Sequence, residues 1–332
     1  MMKRTITAAI TGIAGYTPDF VLTNKDLEAM VNTSDEWIHT RTGIRERRLL
    51  KGEGTGSSFM GIHAAKRLLE KTGIDPLTID VVIVATVTPD YVHYPGTSNI
   101  ISKAIGADNA FAMDLQAGCS SFLFSMQTAS MYITSGQYNR VLLVGVDKMS
   151  SLVDYTNRDT CVLFGDGAGA VLMEANTEGY GIQDAYMRSD GQGVDYLRVP
   201  AGGSVLPASA DTVINGQHFM FQDGVPVYKF AVSKMVEAGQ MILERNNLTV
   251  DQIDWVVSHQ ANKRIIQATA ERLQIQDEKL MFTIHKYGNT SNASMPLSLC
   301  EYESQLKKGD NLLFVSFGGG FAWGGLYLKW AY

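Results

Sequence analysis

The sequence predicts an α/β protein made of two similar halves, each with a buried and largely parallel sheet. Along its 332 residues, β-branched runs of strand length alternate with helical patterns, which is typical of sheets covered by helices on their faces. The lead-in GIDPLTIDVVIVA has Ile79-Asp80 before its strand, and NLTVDQIDWVVSH has Ile253-Asp254 before its own, 174 positions later (254 minus 80). This match indicates an internal duplication, with halves predicted at residues 1–178 and 179–332.

In the first half, VVIVATVTPD (81–90) and RVLLVGVD (140–147) are predicted strands that each follow a helical pattern. AFAMDLQAG predicts a strand that leads into Cys119, and SSFLFSMQTASMYITSG predicts the helix after it. FGDGAGAVLM (164–173) is rich in glycine, but it runs into a strand and lacks the Gly-Lys-Ser/Thr ending of a phosphate-binding loop. We interpret its glycines as a requirement of close packing.

The second half repeats the scheme. IDWVVSHQAN follows the helical AVSKMVEAGQMILERNN, and NLLFVSFGGG follows SLCEYESQLKKGD. MFTIHKYGN is predicted as the strand that matches AFAMDLQAG, so that Asn289 and Cys119, 170 positions apart (289 minus 119), face each other across a pseudo-twofold axis. His259 ends the neighbouring strand. Open α/β sheets carry their chemistry at the carboxyl ends of strands, where all three residues are expected.

Composition narrows the class of protein. The net charge of -6 argues against nonspecific nucleic-acid binding, and no run approaches the roughly 18 apolar residues of a membrane span. The start MMKRTITAAITGIAGYTPDF is interrupted by Thr, Gly and Pro, so no signal peptide is expected. Three cysteines far apart do not form a disulfide framework. We therefore predict a cytoplasmic protein with no nucleic-acid partner, no membrane segment and no metal.

The three polar residues form a candidate catalytic set. A lone cysteine is more often a small buried hydrophobe than a nucleophile, but a cysteine at a helix N-terminus has its pKa lowered by the helix dipole. In a hydrolase, Asn289 would orient His259, which would activate Cys119. In a decarboxylating condensation, neutral His259 and Asn289 would donate hydrogen bonds to a thioester oxygen. FGGGFAWGG (317–325) follows a strand and suits a backbone N–H donor beside Cys119.

TSDEWIHTRTGIRER, GCSSFLF, FGDGAGAV, SHQANKRI, YGNTSNAS and FGGGFAWG occur in this order from residue 33 to residue 324. Together they resemble the β-ketoacyl-acyl carrier protein synthase III family, the initiating ketosynthases of bacterial type II fatty-acid synthesis, over essentially the whole chain. The resemblance implies a thiolase-like five-layer αβαβα fold and a homodimer. It also implies that an acyl-coenzyme A primer acylates Cys119 and then condenses with decarboxylated malonyl-acyl carrier protein. No cofactor is implied, because acyl-coenzyme A is a substrate.

The resemblance also implies roles for individual positions. Trp37 and Arg41 would sandwich the coenzyme A adenine, with Thr33 and Arg158 nearby. Tyr228, Ala261, Asn262 and Phe317 would line the pantetheine tunnel, and the N–H groups of Cys119 and Gly319 would bind the oxyanion. Lys229, Gln260, Lys263 and Arg264 would receive the acidic carrier protein. Tyr94 stands where the family usually has a Phe that closes the partner's acyl pocket, which implies short primers.

Other functions stay open at this stage. Gly118, Ser121, Asp159 and Ala322 depart from the usual family pattern, so a specialised ketosynthase III-like acyltransferase or a condensing enzyme of secondary metabolism is an alternative. A thiolase would need a second cysteine as base, for which Cys161, in an apolar strand, and Cys300, in a helix, are the candidates. A cysteine hydrolase would release free acid from acyl-coenzyme A. A noncatalytic carrier-protein-binding module would leave Cys119 unacylated.

Overall fold

The structure is a computed structural model that describes residues 6–332. The strands are β1 (Thr7–Tyr16), β2 (Val21–Thr23), β3 (Glu46–Arg48), β4 (Val81–Ala85), β5 (Phe111–Leu115), β6 (Arg140–Lys148), β7 (Asp166–Asn176), β8 (Gly181–Ser189), β9 (Leu197–Arg198), β10 (Phe221–Gln222), β11 (Trp255–Ser258), β12 (Asn311–Gly318) and β13 (Ala322–Lys329). The helices are α1 (Asn24–Glu28), α2 (Asp35–Thr42), α3 (Ser57–Thr72), α4 (Thr97–Ile105), α5 (Ser121–Thr134), α6 (Arg158–Cys161), α7 (Ala210–Ile214), α8 (Gly224–Arg245), α9 (Lys263–Leu273), α10 (Ile284–Tyr287) and α11 (Ser294–Tyr302).

Two sheets carry the fold, and their strand orders repeat. The first has five strands in the order β1-β7-β6-β4-β5, and the second has four in the order β8-β13-β12-β11. In both, only the strands near the β5 or β11 edge are parallel, while the others pair antiparallel. The prediction of largely parallel sheets is therefore wrong for β1 and β7 of the first sheet and for β8 and β13 of the second. Short connections such as the one between β12 and β13 favour antiparallel neighbours, since parallel strands need long crossovers.

The division into halves follows the sheets. Every strand of the first sheet ends at or before Asn176, and every strand of the second begins at or after Gly181. This arrangement is compatible with the boundary predicted at residue 178, which stays a prediction. Residues 1–5 of the predicted first half lie outside the described range.

Helices cover both sheets and fill the space between them. α3 and α4 pack on the outer face of the first sheet, α5 and α11 lie between the sheets, and α8 and α9 cover the second sheet. The five-layer αβαβα fold implied above is confirmed by this arrangement. α5 contacts both sheets and buries Phe122, Leu123, Met126, Ala129 and Ile133 completely, as expected of a helix that is apolar on more than one face.

The segment MFTIHKYGN does not form the predicted strand. Leu280 makes a single isolated bridge with Val256, and the chain then turns into α10 at Ile284. The backbone N–H groups of Thr283 and Ile284 donate to the side-chain oxygen of Gln260. Because a buried side chain takes these donors, they are not free for a neighbouring strand. Asn289 consequently follows a short helix and not a strand end.

Candidate active site

The predicted catalytic residues share one cavity of about 900 Å³, which is lined by residues from both halves. Cys119, His259 and Asn289 line it together with Trp37 and Arg41 of α2. Further lining residues that the sequence predicted are Tyr228, Lys229, Ala261, Asn262, Arg264 and Phe317. A cavity that holds a thiol, an imidazole and an amide suits nucleophilic chemistry on a small extended substrate.

Cys119 lies in the turn between β5 and α5, in close contact with the end of β12. A Cβ on Gly318 would lie 2.3 Å from the Cys119 backbone nitrogen, and a Cβ on Gly118 would lie 2.4 Å from the Gly319 oxygen. Gly118 also has a φ of 57°, a conformation that glycine adopts readily. The close backbone approach predicted for the glycine-rich segment is therefore present, and it brings the Gly319 N–H to the sulfur.

The thiol is protonated at neutral pH in this cavity. Burial, together with the nearby Asp147 carboxylate, raises the pKa of Cys119 to about 11. Hydrogen bonds from the Ser291 hydroxyl and the Gly319 N–H act in the opposite direction but are outweighed. The prediction that the helix N-terminus lowers this pKa is wrong in its net direction, because desolvation disfavours the thiolate more strongly.

His259 follows β11, is buried and lines the cavity. Its Nδ1 lies 2.8 Å from the Ser294 hydroxyl. Burial lowers the pKa of His259 to about 4, so the imidazole is neutral at physiological pH. When the Ser294 hydroxyl donates to Nδ1, the ring proton lies on Nε2, which makes Nε2 a neutral hydrogen-bond donor.

Asn289 is fixed by three hydrogen bonds. Its backbone N–H donates to Leu163 O (2.8 Å), and its carbonyl accepts from the Gly165 N–H (3.1 Å). Its side-chain Oδ1 accepts from the Ser291 N–H at 2.9 Å, which fixes the orientation of the amide. Within residues 6–332, no group accepts from Asn289 Nδ2. The side chain therefore keeps a second neutral donor for a ligand in the cavity.

Sequence reasoning missed four residues that support this site: Asp147, Ser291, Asn292 and Ser294. Asp147 is completely buried, and its Oδ1 accepts four hydrogen bonds, from Thr86 Oγ1, Val87 N, Thr88 N and Thr88 Oγ1. Its Oδ2 accepts from the backbone N and Nδ2 of Asn292. The signal was an acidic residue at the end of the apolar run RVLLVGVD, and a run of small polar residues directly after Asn289.

The residues predicted to bind a nucleotide lie together around Trp37. The guanidinium carbons of Arg41 and Arg158 lie 4.6 Å and 4.8 Å from the centre of the indole ring. Arg158 also donates to Asn32 O at 3.3 Å. The Thr33 hydroxyl is buried without a partner in residues 6–332. Two cations beside one indole ring form a surface suited to a base and its phosphates.

Three of the four residues predicted to receive a carrier protein are exposed: Lys229 of α8, and Lys263 and Arg264 at the start of α9. Gln260 is only 1% exposed, and its Nε2 donates to Ser258 O and Met281 O. The predicted contact between Gln260 and a carrier is therefore wrong, because its amide is occupied inside the protein. Tyr94 lies outside the cavity and is 86% exposed.

The remaining cysteines do not contribute to the cavity. Cys161 is the last residue of α6, so its predicted position in a strand is wrong, whereas Cys300 lies in a helix as predicted. A second cysteine base, which a thiolase requires, is thus missing from the described cavity lining. Residues 6–332 also contain no cluster of three His, Cys, Asp or Glu side chains that could hold a metal ion. No helix in the same range is long and apolar enough to cross a membrane.

Comparisons with known proteins find similar sequences and a similar fold. The family profile described as 3-oxoacyl-[acyl-carrier-protein (ACP)] synthase III matches residues 113–191, and that of its C-terminal part matches residues 243–330. Beta-ketoacyl-[acyl-carrier-protein] synthase III of Phocaeicola vulgatus is 53% identical over 327 residues, which are 98% of each chain. The protein of that name from Chlorobaculum tepidum is 49% identical over 97% of this chain and 99% of its own. The crystal structure of 3-oxoacyl-[acyl-carrier-protein] synthase III from Aquifex aeolicus superposes with a TM-score of 0.89 at 38% identity, covering 97% of this chain and 100% of the other.

Proposed function

The chain belongs to the 3-oxoacyl-[acyl-carrier-protein] synthase III family, and we propose that it condenses an acyl-coenzyme A primer with malonyl-acyl carrier protein. The product is a β-ketoacyl-acyl carrier protein that initiates fatty-acid synthesis. The observation that carries this proposal is one cavity in which a thiol faces two uncharged hydrogen-bond donors, His259 and Asn289. The similar proteins described above bear the name of the initiating enzyme, so nothing favours the alternative of a specialised pathway.

In the first half-reaction, the Cys119 sulfur attacks the thioester carbonyl of the primer. The new S–C bond forms as the bond to the coenzyme A sulfur breaks, and the proton lost by Cys119 ends on the departing thiol. The N–H groups of Gly319 and Cys119 bind the oxyanion, because both approach the sulfur closely. Trp37, Arg41 and Arg158 hold the nucleotide at the mouth of the cavity, with Thr33 beside them.

In the second half-reaction, the carboxylate of the malonyl group leaves as carbon dioxide, and its electron pair forms an enolate. His259 Nε2 and Asn289 Nδ2 donate hydrogen bonds to the thioester oxygen that carries the new charge. The enolate carbon attacks the acyl group on Cys119 and forms the new C–C bond, and the cysteine sulfur departs as a thiolate that takes up a proton from solvent. Uncharged donors suit this step because a carboxylate in place of Asn289 would repel the malonyl group.

A homodimer accounts for the exposed edge of the first sheet. β5 is an edge strand whose Phe111 is exposed, and Tyr91, Val92 and Tyr94 near it are exposed as well. A second copy that pairs along β5 would cover these apolar side chains and the unpaired backbone groups. We propose that Tyr94 then closes the acyl pocket of the partner, so that only short primers fit.

The carrier protein and the compartment follow from charge and cysteine chemistry. Lys229, Lys263 and Arg264 place positive charge near the cavity, although the protein as a whole has a net charge of -6. Such a local basic surface favours an acidic carrier that delivers the malonyl group. All three cysteines are free, which fits a reducing cytoplasm.

Mass spectrometry of the intact protein after incubation with acyl-coenzyme A of increasing chain length tests this function. We expect one acyl group on Cys119 with short primers, loss of the label in Cys119→Ser, and an unchanged label in the matched control Cys300→Ser. Release of free acid without a stable acyl-enzyme would support a hydrolase instead. An unlabelled protein would support a noncatalytic carrier-binding module, and labelling by long primers would contradict the role of Tyr94.

A further inference from the structure

Ser291 has an unusual backbone for its position. Three non-glycine residues in 6–332 have a positive φ: Asn247, Gln274 and Ser291. Gln274 directly follows α9 and Asn247 lies two residues beyond the end of α8, where left-handed residues commonly terminate helices. Ser291, with a φ of 49°, is completely buried beside the cavity and follows no long helix. Backbone strain of this kind persists where the surroundings impose it, and it concentrates at functional sites.

The strained conformation lets Ser291 contact two catalytic residues. Its backbone N–H donates to Asn289 Oδ1 at 2.9 Å, and its hydroxyl donates to Cys119 Sγ at 3.6 Å. The hydroxyl oxygen also accepts from Asn292 Nδ2 at 3.5 Å, and the same amide donates to Asp147 at 2.9 Å. Since the amide hydrogen approaches the hydroxyl oxygen, the hydroxyl hydrogen is available to the sulfur.

The charged and titratable groups around the Cys119 sulfur determine whether a hydrogen bond from the Ser291 hydroxyl can stabilise a thiolate. The Asp147 carboxylate disfavours a thiolate on Cys119, whereas the Gly319 N–H favours it, and His259 is neutral. The Ser291 hydroxyl has a single hydrogen; its donation to the sulfur favours the Cys119 thiolate, whereas burial raises the pKa of the Asp147 carboxyl. The hydroxyl therefore contacts the nucleophile directly and is linked through the Asn292 amide to the buried Asp147 carboxylate that repels the thiolate.

We propose that Ser291 is a further catalytic residue, whose hydroxyl donates a hydrogen bond to the Cys119 sulfur whenever that sulfur carries negative charge. This happens twice in the reaction: when the thiol loses its proton to attack the primer, and when the sulfur leaves the acyl group after condensation. The backbone N–H of Ser291 separately holds Asn289 in place. The inference deepens the proposed function and rests on it for the identity of the acyl donor.

The test measures the rate at which iodoacetamide alkylates Cys119, as a function of pH, in the purified full-length protein. Peptide mass spectrometry separates Cys119 from the other two cysteines. On the rising limb of the profile we expect Ser291→Ala to react about tenfold more slowly than the parent at each pH, since loss of one hydrogen bond to a charged group corresponds to about one pKa unit. Acylation by acetyl-coenzyme A should slow in parallel, while carbon dioxide release from malonyl thioester should change little.

A second variant separates the effect of losing the hydroxyl from the effect of backbone strain, and a third is the control. Ser291→Gly removes the hydroxyl and also relieves the strain, so it should be as slow as Ser291→Ala. Ser125→Ala is the matched control, because Ser125 is a buried residue of α5 whose hydroxyl has no partner in residues 6–332. It should react like the parent, and thermal unfolding of all variants verifies that they are folded.

Parental alkylation rates in Ser291→Ala at every pH would overturn the proposal. So would a slow Ser291→Ala whose rate is restored in Ser291→Gly, because strain and not the hydroxyl would then be responsible. Failure of the proposed function looks different. In that case alkylation would slow as expected, supporting the role of Ser291, but no acyl-coenzyme A would label Cys119 in the parent protein.

Discussion

The two halves of the molecule present their reactive residues on different kinds of structure. In the first half, Cys119 lies between a regular strand, β5, and the buried helix α5. In the second half, Asn289 lies on an irregular segment that keeps only one bridge to its sheet. Three residues beyond each, the halves touch, because the backbone N–H of Phe122 donates to Asn292 Oδ1 at 3.2 Å. The repeated arrangement of the sheets therefore brings the two segments together even though one of them forms no strand.

The segment that carries Asn289 contacts strand β6 of the first half, and the segment that carries Cys119 contacts strand β12 of the second half. The residues of β6 and β12 that make these contacts differ in chemistry. Val81 pairs with Val141, and Trp255, its counterpart 174 positions later, pairs with Leu312. Six residues further along these central strands stand Asp147 in the first half and Gly318 in the second. Asp147 binds Asn292 through a carboxylate, whereas Gly318 lets the Cys119 backbone approach with no side chain between them. Corresponding positions thus serve as an anchor in one half and as a docking point for the nucleophile in the other.

The largest effect is expected when the donors of the second half are removed. His259→Ala and Asn289→Ala should each slow release of labelled carbon dioxide from malonyl thioester by about a hundredfold to a thousandfold, the usual effect of losing an oxyanion donor. Acylation of Cys119, followed by intact mass, should change far less, because Ser291 and the Gly319 N–H contact the sulfur. Cys119→Ser should show the reverse, with no condensation but residual decarboxylation.

His285→Ala provides the control for this division, since His285 is exposed on α10 and does not line the cavity. Both half-reactions should proceed at the parental rate in that variant. A His259→Ala protein that cannot be acylated yet still releases carbon dioxide would invert the assigned roles. It would mean that the second half activates the nucleophile and does not stabilise the enolate.

The sequence predicted the regular parts of this comparison and missed the irregular ones. The runs at β4, β6, β11 and β12 are apolar and β-branched, so periodicity alone located them, and the carboxyl ends of β5 and β11 pointed to Cys119 and His259. The segment before Asn289 has a similar pattern, but the Gln260 amide captures its N–H groups. Gln260 is polar, so the sequence suggests an exposed position, but the residue is buried. No local sequence pattern shows which distant N–H groups it accepts hydrogen bonds from.

The supporting residues were missed for a similar reason. The contact of Asp147 with Asn292 and that of Ser291 with Cys119 each join residues more than a hundred positions apart in the chain. The pKa of Cys119 also depends on how completely the assembled halves exclude water, which overrides the local effect of the helix N-terminus. Local sequence therefore predicted candidate reactive groups, while their environment required the folded molecule.

A large loss of stability is expected when the anchor of the first half is changed. Asp147→Ala should lower the free energy of unfolding by on the order of 4 kcal/mol, because several buried donors lose their acceptor at about 1–3 kcal/mol each. Asp147→Asn tests the two sides of the carboxylate separately. The side-chain oxygen can still accept from Thr86, Val87 and Thr88, but the new amide group would face the donors of Asn292 and could not accept from them. We expect about half the loss, measured by urea unfolding.

Asp108→Asn is the matched control for the anchor, because Asp108 is exposed and takes part only in a long surface ion pair with Lys103. Its free energy of unfolding should stay within about 0.5 kcal/mol of the parent. An Asp147→Asn protein as stable as this control would show that the contact between the halves does not depend on the carboxylate.

A smaller effect, on rate more than on stability, is expected at the corresponding position of the second half. Gly318→Ala would place a Cβ 2.3 Å from the Cys119 nitrogen and 3.0 Å from the Ser120 nitrogen, and both are backbone atoms. The nucleophile and the oxyanion donors must shift apart, and small misplacements of reacting groups slow catalysis strongly. We expect acylation of Cys119 to slow by about tenfold. Gly203→Ala, where a Cβ meets open space, should acylate like the parent, and equal rates in the two variants would refute the docking role of Gly318.

The smallest effects are expected at the mouth of the cavity, where the two halves should divide recognition between the substrates. Arg41 lies in the first half beside Trp37, and Arg264 lies in the second half at the start of α9. Because exposed charge pairs contribute about 0.2–1 kcal/mol, Arg41→Ala should raise the KM for acyl-coenzyme A, and Arg264→Ala the KM for malonyl-acyl carrier protein, each by about two- to fivefold. Both effects should shrink at high salt, since screening weakens exposed charges. Lys103→Ala, an exposed cation outside the cavity, should alter neither KM. Equal changes in both KM values for either arginine variant would mean that the halves do not divide the substrates, because a shared binding surface would then serve both.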